Sequence, residues 1–136
     1  MSRTFTIRQL TKEFSVTART LRFYEDEALI APERRGQSRI YSVRDRARII
    51  LILRGRRLGF SLAEIREYLE LYDKHLSVRQ LKHARHKFEE RIASFEKQKL
   101  EIDKSIGELR RSIAEVDERL TDRAGSNPQR HVIAAE

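Results

Sequence analysis

The first thirty positions carry apolar residues at the spacing of two short helices. Thr6 followed three residues later by Gln9 forms a capping box, which predicts a first helix from about residue 7 to residue 14. After a break of about three residues, Thr17 is placed to cap a second helix. Two short helices separated in this way predict a helix-turn-helix. The expected inward-facing residues of the second helix are Val16, Leu21, Tyr24 and Leu29.

A turn and two further helices are expected after Pro32. Short segments on both sides of Gly36 are predicted to pair as a two-stranded ribbon, which would form a wing. Ser42 with Asp45 opens a third helix that ends at Gly59, and its apolar residues on all sides place it at the centre of a small core. A further capping box starts a fourth helix; the box and the apolar face comprise Ser61 and Glu64, then Leu62, Ile65, Leu69 and Tyr72.

The second half of the chain carries one long heptad pattern. Its apolar positions step alternately by four and three residues for more than four heptads, and Lys99 fills the one gap. A helix over residues 78–120 would be on the order of 60 Å long, too long to fold back onto residues 1–75. The alternative, a solvated single helix held by ion pairs, would need no continuous seam. We therefore expect a second copy of the chain to bury this seam, which consists of Phe88, Ile92, Phe95, Ile102, Ile106, Leu109, Ile113, Val116 and Leu120.

Three regions result from these patterns. Residues 1–75 are predicted to form a winged helix-turn-helix domain, residues 76–120 a coiled-coil dimerisation helix, and residues 121–136 a flexible tail without periodicity. The fold class is therefore mainly α. Within the long helix, Gly107 is expected to cost about 1 kcal/mol of helix propensity.

Charge is distributed unevenly along the 136 residues. The chain has 29 Lys and Arg against 21 Asp and Glu, a net charge of +8. Residues 1–62 hold 14 basic and 6 acidic side chains, whereas residues 63–136 hold 15 of each. A basic half joined to a neutral helical half is expected where one half binds a polyanion and the other binds protein.

Several classes of protein are disfavoured by the sequence. With no Cys, the chain has no disulfides, thiolate metal sites or Cys nucleophiles. It has no Gly-rich phosphate loop or nucleophile motif, so we expect neither an enzyme nor a bound cofactor. His83 and His86 lie three residues apart among basic side chains, which favours a solvated helical face over a metal site. No apolar run approaches the roughly 18 residues of a membrane span and no export signal is present, so we expect a cytoplasmic protein with no membrane contact.

The basic half provides side chains suited to duplex DNA. Residues near the N-terminal end of a recognition helix meet base edges, and Arg can bond guanine bidentately. Arginines on the ribbon and at the end of the third helix suit phosphates. For Tyr24 a core position is an equal alternative, and Arg46, Arg48 and Arg56 are expected only to solvate the third helix. The candidate DNA-binding residues are Thr17, Arg19, Thr20, Arg22, Tyr24, Arg34, Arg35, Arg39, Arg54 and Arg57.

Three segments closely resemble the MerR family of transcriptional regulators. They are TARTLRFYEDEAL at 17–29, RRGQSRIYS at 34–42 and LRGRRLGFSLAEIREYLELYD at 53–73, and the resemblance covers about residues 5–73. Within the family, the chain looks most like the subgroup that regulates leucine and isovalerate utilisation and related acyl-CoA catabolism. The resemblance implies an antiparallel coiled-coil dimer on a near-palindromic promoter element, often with a bent and untwisted spacer. It also implies DNA contacts from Thr17, Arg19, Thr20, Arg22, Tyr24, Arg39 and Tyr41.

Two departures from the family pattern stand out. Ala28 occupies a position where the family usually has Gly, and a positive φ there would cost about 1 kcal/mol. The missing Cys excludes a thiolate sensor of the kind that metal- and redox-responsive members use. Any small-molecule effector would have to bind at the dimer interface, although packing is the favoured role for the aromatic residues there, which are Tyr68, Tyr72, Phe88 and Phe95.

Three functional hypotheses remain open at this point. The first is a sequence-specific dimeric transcriptional regulator whose partners are promoter DNA, a second copy of the chain and RNA polymerase. The second is an architectural DNA binder that prefers no sequence. The third is a protein-interaction adaptor built on the coiled coil, whose binding would hardly depend on salt.

Overall fold

A computed structural model of the chain describes residues 3–125. The structure is mainly helical and divides into two compact units, one up to Lys87 and one from Phe88 onward, which are described separately. None of the helices among residues 3–125 is both long and apolar enough to cross a membrane. The elements are β1 (Thr4–Thr6), α1 (Ile7–Phe14), α2 (Ala18–Asp26), β2 (Glu33–Arg35), β3 (Ser38–Ser42), α3 (Val43–Arg57), α4 (Leu62–Asp73) and α5 (Val78–Gly125).

The predicted helix starts are confirmed. The three expected capping boxes are formed, each with the side-chain and backbone hydrogen bonds in both directions, and Thr17 caps α2 by accepting from the backbone N–H of Thr20 at 3.1 Å. The start of α5 has a further box that was not predicted, in which Ser77 and Gln80 exchange the same pair of bonds. The boxes predicted from sequence are Thr6 with Gln9, Ser42 with Asp45, and Ser61 with Glu64.

The predicted ribbon is present and belongs to a three-stranded antiparallel sheet. The strand order is β1-β3-β2, with Arg34 opposite Arg39 and Phe5 opposite Tyr41. The sequence analysis did not predict β1, because three residues are too few to show an alternating pattern. The buried ring of Phe5 and the pairing with β3 hold this strand against the base of the ribbon.

One core packs α1 to α4 against the sheet. Of the residues expected to face inward on α2, Leu21, Tyr24 and Leu29 are buried and Val16 is half-buried against them. The core cluster comprises Phe5, Leu10, Leu21, Tyr24, Leu29, Ile30, Tyr41, Ile49, Ile52, Ile65 and Leu69.

The predicted apolar face of α4 is wrong at its end. Tyr72 is 59% exposed, whereas Tyr68, which was not placed on that face, is buried. The ring of Tyr72 lies edge-on against Tyr68 with 5.7 Å between centroids. Tyr68 also lies against Phe60, at 6.2 Å between centroids, and is 8% exposed.

Ala28 has the left-handed conformation that the departure from the family pattern had put in question, with φ of 58°. Its N–H donates to the carbonyl of Glu25 at 2.8 Å, and the next N–H, of Leu29, donates to the carbonyl of Tyr24 at 2.9 Å. These bonds close the C-terminal end of α2 and return the chain to the core. Ser15 takes the same conformation at the end of α1, with φ of 53°.

The second unit is the continuation of α5 from Phe88, and within its described part no residue is buried. The helix extends to Gly125, so the flexible tail expected from Thr121 is wrong for its first five residues. The remainder of that predicted tail, residues 126–136, lies outside the described residues. Most of the predicted heptad seam is open, at exposures from 39% to 64%, namely Ile92, Phe95, Ile102, Ile106, Leu109, Ile113, Val116 and Leu120.

Candidate nucleic-acid interface

The N-terminal end of α2 presents two cations on one exposed face. Arg19 and Arg22 are both exposed, and neither forms an ion pair with any residue in the described part of the chain. Being three residues apart, they project from the same side of the helix. Thr17 precedes both arginines and Thr20 lies between them in the sequence. The two threonine hydroxyls are 2.9 Å apart and share a hydrogen bond. The cap therefore fixes the N-terminal end of the helix, and the two arginines lie in its first two turns.

Phe23 is an exposed aromatic residue on the same helix that the sequence analysis missed. It is 47% exposed, and its ring lies tilted against Tyr24 with 6.1 Å between centroids. Because Leu21 and Tyr24 form the buried side of α2, residue 23 must lie toward the outside of the helix, and that spacing was the available signal. Phe23 adds apolar surface of the kind that contacts a thymine methyl group.

Tyr24, for which a core position and a DNA contact were both predicted, lies in the core rather than on this exposed face. Its ring is only 2% exposed, and its hydroxyl accepts a hydrogen bond from Nη1 of Arg56 at 2.9 Å. The alternative of a core tyrosine therefore holds. Arg56 in turn does more than solvate α3, because it joins that helix to the buried side of α2.

Tyr41, for which the family resemblance implies a DNA contact, also lies in the core. It is fully buried, and its hydroxyl has no hydrogen-bond partner within the described residues. Burial raises the pKa of this phenol above its ordinary value. On β3, Tyr41 and Arg39 lie two residues apart and so face the same side of the sheet, toward the domain interior. That alternation buries Tyr41 and draws Arg39 inward with it.

The three ribbon arginines are not equivalent. Nε of Arg39 donates to Oε1 of Glu25 at 2.6 Å, and Nη2 of Arg34 donates to Oε2 of the same carboxylate at 3.4 Å. The hydrogen bond to Glu25 raises the pKa of Arg39 above its ordinary value. Arg35 is exposed and forms no ion pair with the described residues. It is therefore the ribbon cation most available to a phosphate.

The two predicted DNA-binding arginines at the end of α3 also differ from each other in their partners. Arg54 donates to the hydroxyl of Tyr68 at 3.3 Å, and this hydrogen bond raises the pKa of the guanidinium. Arg57 is exposed and has no ion-pair partner within residues 3–125. Both guanidinium groups remain at the surface, so the structure keeps the cluster as a positive end of α3.

Two other arginines of α3 brace the domain, contrary to the expectation that they only solvate the helix. Nε of Arg46 donates to Glu13 of α1 at 3.0 Å, and its Nη2 bonds the same carboxylate. Nε of Arg48 donates to the carbonyl oxygen of Leu29 at 2.6 Å, and its Nη1 bonds Asp73 at the end of α4. Their distant partners, 33 and 25 residues away along the chain, could not be read from the local pattern.

The histidines do not assemble a metal site within the described residues. His83 contacts Glu67 of α4 at 3.7 Å between Nε2 and Oε2, and both side chains are more than half exposed. No group of three or more His, Cys, Asp or Glu side chains converges anywhere in residues 3–125. The two residues instead form a surface contact between α4 and the first turns of α5.

Known proteins are similar to this chain in both sequence and fold. Residues 5–72 match the family described as MerR HTH family regulatory protein, and residues 46–119 match the family described as MerR, DNA binding. The HTH-type transcriptional regulator HmrR of Rhizobium leguminosarum bv. viciae is 38% identical over 68 residues, which are 49% of this chain and 53% of HmrR. The HTH-type transcriptional regulator CueR of Vibrio cholerae is 42% identical over 67 residues, 48% of each chain. The matched part of the chain thus spans about half the length of these curated relatives.

A solved structure agrees with the sequence matches. The transcription regulator PbrR691 of Ralstonia metallidurans CH34, solved in complex with lead(II), has a TM-score of 0.56 and 27% identity, covering 79% of this chain and 86% of that one. The two family matches together run from the helix-turn-helix through the larger part of α5, and the relatives are transcriptional regulators rather than enzymes. This chain belongs to the MerR family of transcriptional regulators.

Proposed function

We propose that the protein is a dimeric, sequence-specific transcriptional regulator that places α2 in the major groove of promoter DNA. The observation that carries this proposal is the pair of exposed cations, Arg19 and Arg22, in the first two turns of a helix that Thr17 caps. Their bidentate donors suit the N7 and O6 acceptors of guanine. Phe23 supplies an apolar contact beside them.

Phosphate contacts would come from cations around α2. Arg35 on the ribbon and Arg57 at the end of α3 are exposed and unpaired within the described residues, and Arg54 lies near Arg57 in the sequence. Such contacts set the position of the protein on the duplex and contribute affinity that falls with salt, without reading bases. The proposed division is that α2 provides specificity while the ribbon and the end of α3 provide sequence-independent affinity.

Dimerisation would be mediated by the heptad face of α5. Its apolar side chains are open to solvent in the single chain, which would be unfavourable for a face that runs from Phe88 to Leu120. A second copy of this face would fit it, because the a and d side chains of one heptad helix pack between those of another with the same repeat. Lys99 at an a position would set register at some cost in stability.

Two copies would place two recognition helices on one duplex, so the binding site should be an inverted repeat. The family resemblance supports a near-palindromic promoter element, an antiparallel coiled coil and action on RNA polymerase in the cytoplasm. The shared segments RFYEDE, RRGQ and RIYS support genes of branched-chain amino-acid or acyl-CoA catabolism as targets. No effector is assigned.

Selection of duplexes from a random pool tests the proposal. The purified full-length protein is incubated with the pool at near-physiological salt, and the retained duplexes are sequenced after several rounds. An enriched inverted repeat with half-sites about one helical turn apart is expected. Retention without enrichment would instead indicate architectural binding, and the absence of retention would indicate the adaptor.

Sedimentation of two variants tests the dimer. Ile106→Asp places a charge in the seam and is expected to shift the protein from dimer to monomer, because a buried unpaired carboxylate is costly. Ala114→Asp, directly after Ile113 but on the outer side of the heptad, is the matched control and should remain dimeric. Equal sedimentation of both variants with the wild type would refute the seam as the interface.

Introduced cysteines test the orientation of the two helices. The natural chain has no Cys, so every disulfide formed reports the new residues. When Ile92→Cys and Ile113→Cys proteins are mixed and oxidised, an antiparallel pair is expected to give the 92–113 cross-link. A parallel pair would give only cross-links between identical positions.

A further inference from the structure

Glu25 joins the recognition helix to the ribbon. Its two carboxylate oxygens are divided between the strands, Oε1 accepting from Arg39 on β3 and Oε2 contacting Arg34 on β2. Arg34 and Arg39 are also directly opposite each other in the antiparallel register. One side chain near the C-terminal end of α2 therefore holds both strands of the ribbon.

The contact with Arg39 is well shielded, whereas that with Arg34 is more exposed. The side chains of Glu25 and Arg39 are each 20% exposed, and that of Arg34 is 54% exposed. The bond from Arg39 joins two charged groups at 2.6 Å, and charge-assisted hydrogen bonds of this kind are shorter and stronger than neutral ones. The charges of Arg34 and Arg39 are thus largely neutralised by Glu25 in the protein without DNA. Arg35, which lies next to the turn of the ribbon, has no such partner among the described residues.

We propose that Glu25 is a specificity-determining residue that positions the ribbon and suppresses binding to arbitrary DNA. This inference rests on the proposed function. The carboxylate competes with phosphates for Arg34 and Arg39, so a duplex that offers only backbone charge gains little from them. Since Glu25 belongs to α2, the same bonds hold the ribbon at a fixed angle to the recognition helix. A site that α2 reads therefore meets a ribbon already in place.

Glu25→Gln separates this role from a purely structural one. The amide keeps the size of the side chain and removes its charge, which frees two guanidinium groups for phosphates. Affinity for a scrambled duplex is expected to rise at least about threefold, with a salt slope steeper by roughly one to two. The ratio of affinities for the selected and scrambled duplexes is expected to fall about tenfold.

Glu33→Gln is the matched control. Glu33 lies on the same ribbon, is exposed, and forms no ion pair with a described residue, so its loss changes the net charge equally without freeing an arginine. Both variants are compared with wild type by fluorescence anisotropy on selected and scrambled duplexes over a salt series. Thermal melting of each variant identifies any loss of folding.

A second background keeps the test decisive. In a protein carrying Arg34→Gln and Arg39→Gln, Glu25→Gln should change affinity for the scrambled duplex no more than Glu33→Gln does. A gain that persists there would show general charge repulsion and overturn the inference. So would identical behaviour of Glu25→Gln and Glu33→Gln in the wild-type background. A wild type that prefers no duplex would overturn the proposed function as well.

Discussion

Gly55 of α3 and Ile65 of α4 approach so closely that a β-carbon on Gly55 would lie 2.9 Å from Cγ1 of Ile65. Gly55 is buried, and Ile65 is 2% exposed, so neither has space to move away. Tyr68, one turn further along α4, would also be reached, at 3.6 Å. The missing side chain at Gly55 thus lets the third and fourth helices of the DNA-binding domain pack together.

Gly55→Ala is expected to destabilise the protein by about 1–2 kcal/mol. Overpacking costs about 1–3 kcal/mol, and the better helix propensity of Ala offsets up to about 1 kcal/mol of that. Gly107→Ala is the control, since a β-carbon there meets no atom within 4 Å in the described structure, and it should stabilise by up to about 1 kcal/mol. Urea unfolding at fixed protein concentration measures both, and stabilisation by Gly55→Ala would refute the close packing.

Asp45 is expected to be important for the stability of the wing base. Its Oδ2 accepts from the N–H and hydroxyl of Ser42 at 2.9 and 3.0 Å, and its Oδ1 accepts from the N–H of Ala31 at 3.1 Å. Asp45→Asn turns one acceptor into a donor facing an N–H group, so a loss of about 2 kcal/mol is expected. Asp103→Asn, at an exposed position of α5, should change the free energy of unfolding by less than about 0.5 kcal/mol. Similar values for the two variants would contradict the role of the network.

Ala28→Gly is expected to stabilise the protein by about 1 kcal/mol. The φ of 58° at this position costs an L-residue about that much relative to Gly. Ala114→Gly, on an exposed turn of α5, is the matched substitution at an ordinary helical position and should cost about 1 kcal/mol. Opposite signs for the two changes, measured by chemical unfolding, would confirm the strain. A destabilised Ala28→Gly would show that contacts of the methyl group outweigh it.

Acid should weaken the brace between α1 and α3. The hydrogen bond from Arg46 lowers the pKa of Glu13, so its ionised form is favoured in the folded protein. The associated stability is present above the ordinary pKa of a glutamate, about 4.3, and is lost as the pH falls through the lowered value. Glu13→Gln should therefore be less stable than wild type at neutral pH and show a flatter decline in acid. Chemical unfolding of wild type and Glu13→Gln over a pH series measures both effects, and an equally steep loss of stability in acid for the two proteins would contradict the brace.

The sequence predicts the elements of this fold better than the partners of its charged residues. Capping boxes and apolar spacing are local features, and they place the starts of α1, α3 and α4 correctly. Strand β1 could not be predicted from a local pattern, because it is formed by pairing with a strand far along the chain.

The candidate interface shows the same division. Arg19 and Arg22 lie where the capped helix predicts them, on the exposed side of α2. The hydroxyl of Tyr24 suggests a phosphate contact and the family resemblance implies one for Tyr41, but long-range packing places both residues in the core. Likewise, the pairing of Arg39 with Glu25 depends on how the ribbon folds over α2, which no local pattern contains.

The affinity ratio between the selected duplex and a base-scrambled duplex tests most directly that α2 reads sequence. It is measured for wild type, Arg19→Ala, Arg22→Ala and Arg35→Ala at several salt concentrations. Loss of either α2 arginine should reduce the binding free-energy difference between the two duplexes by about 1–3 kcal/mol. Arg35→Ala should weaken binding to both duplexes equally and lower the salt slope by about one. An equal loss on both duplexes from all three variants would contradict direct readout by α2.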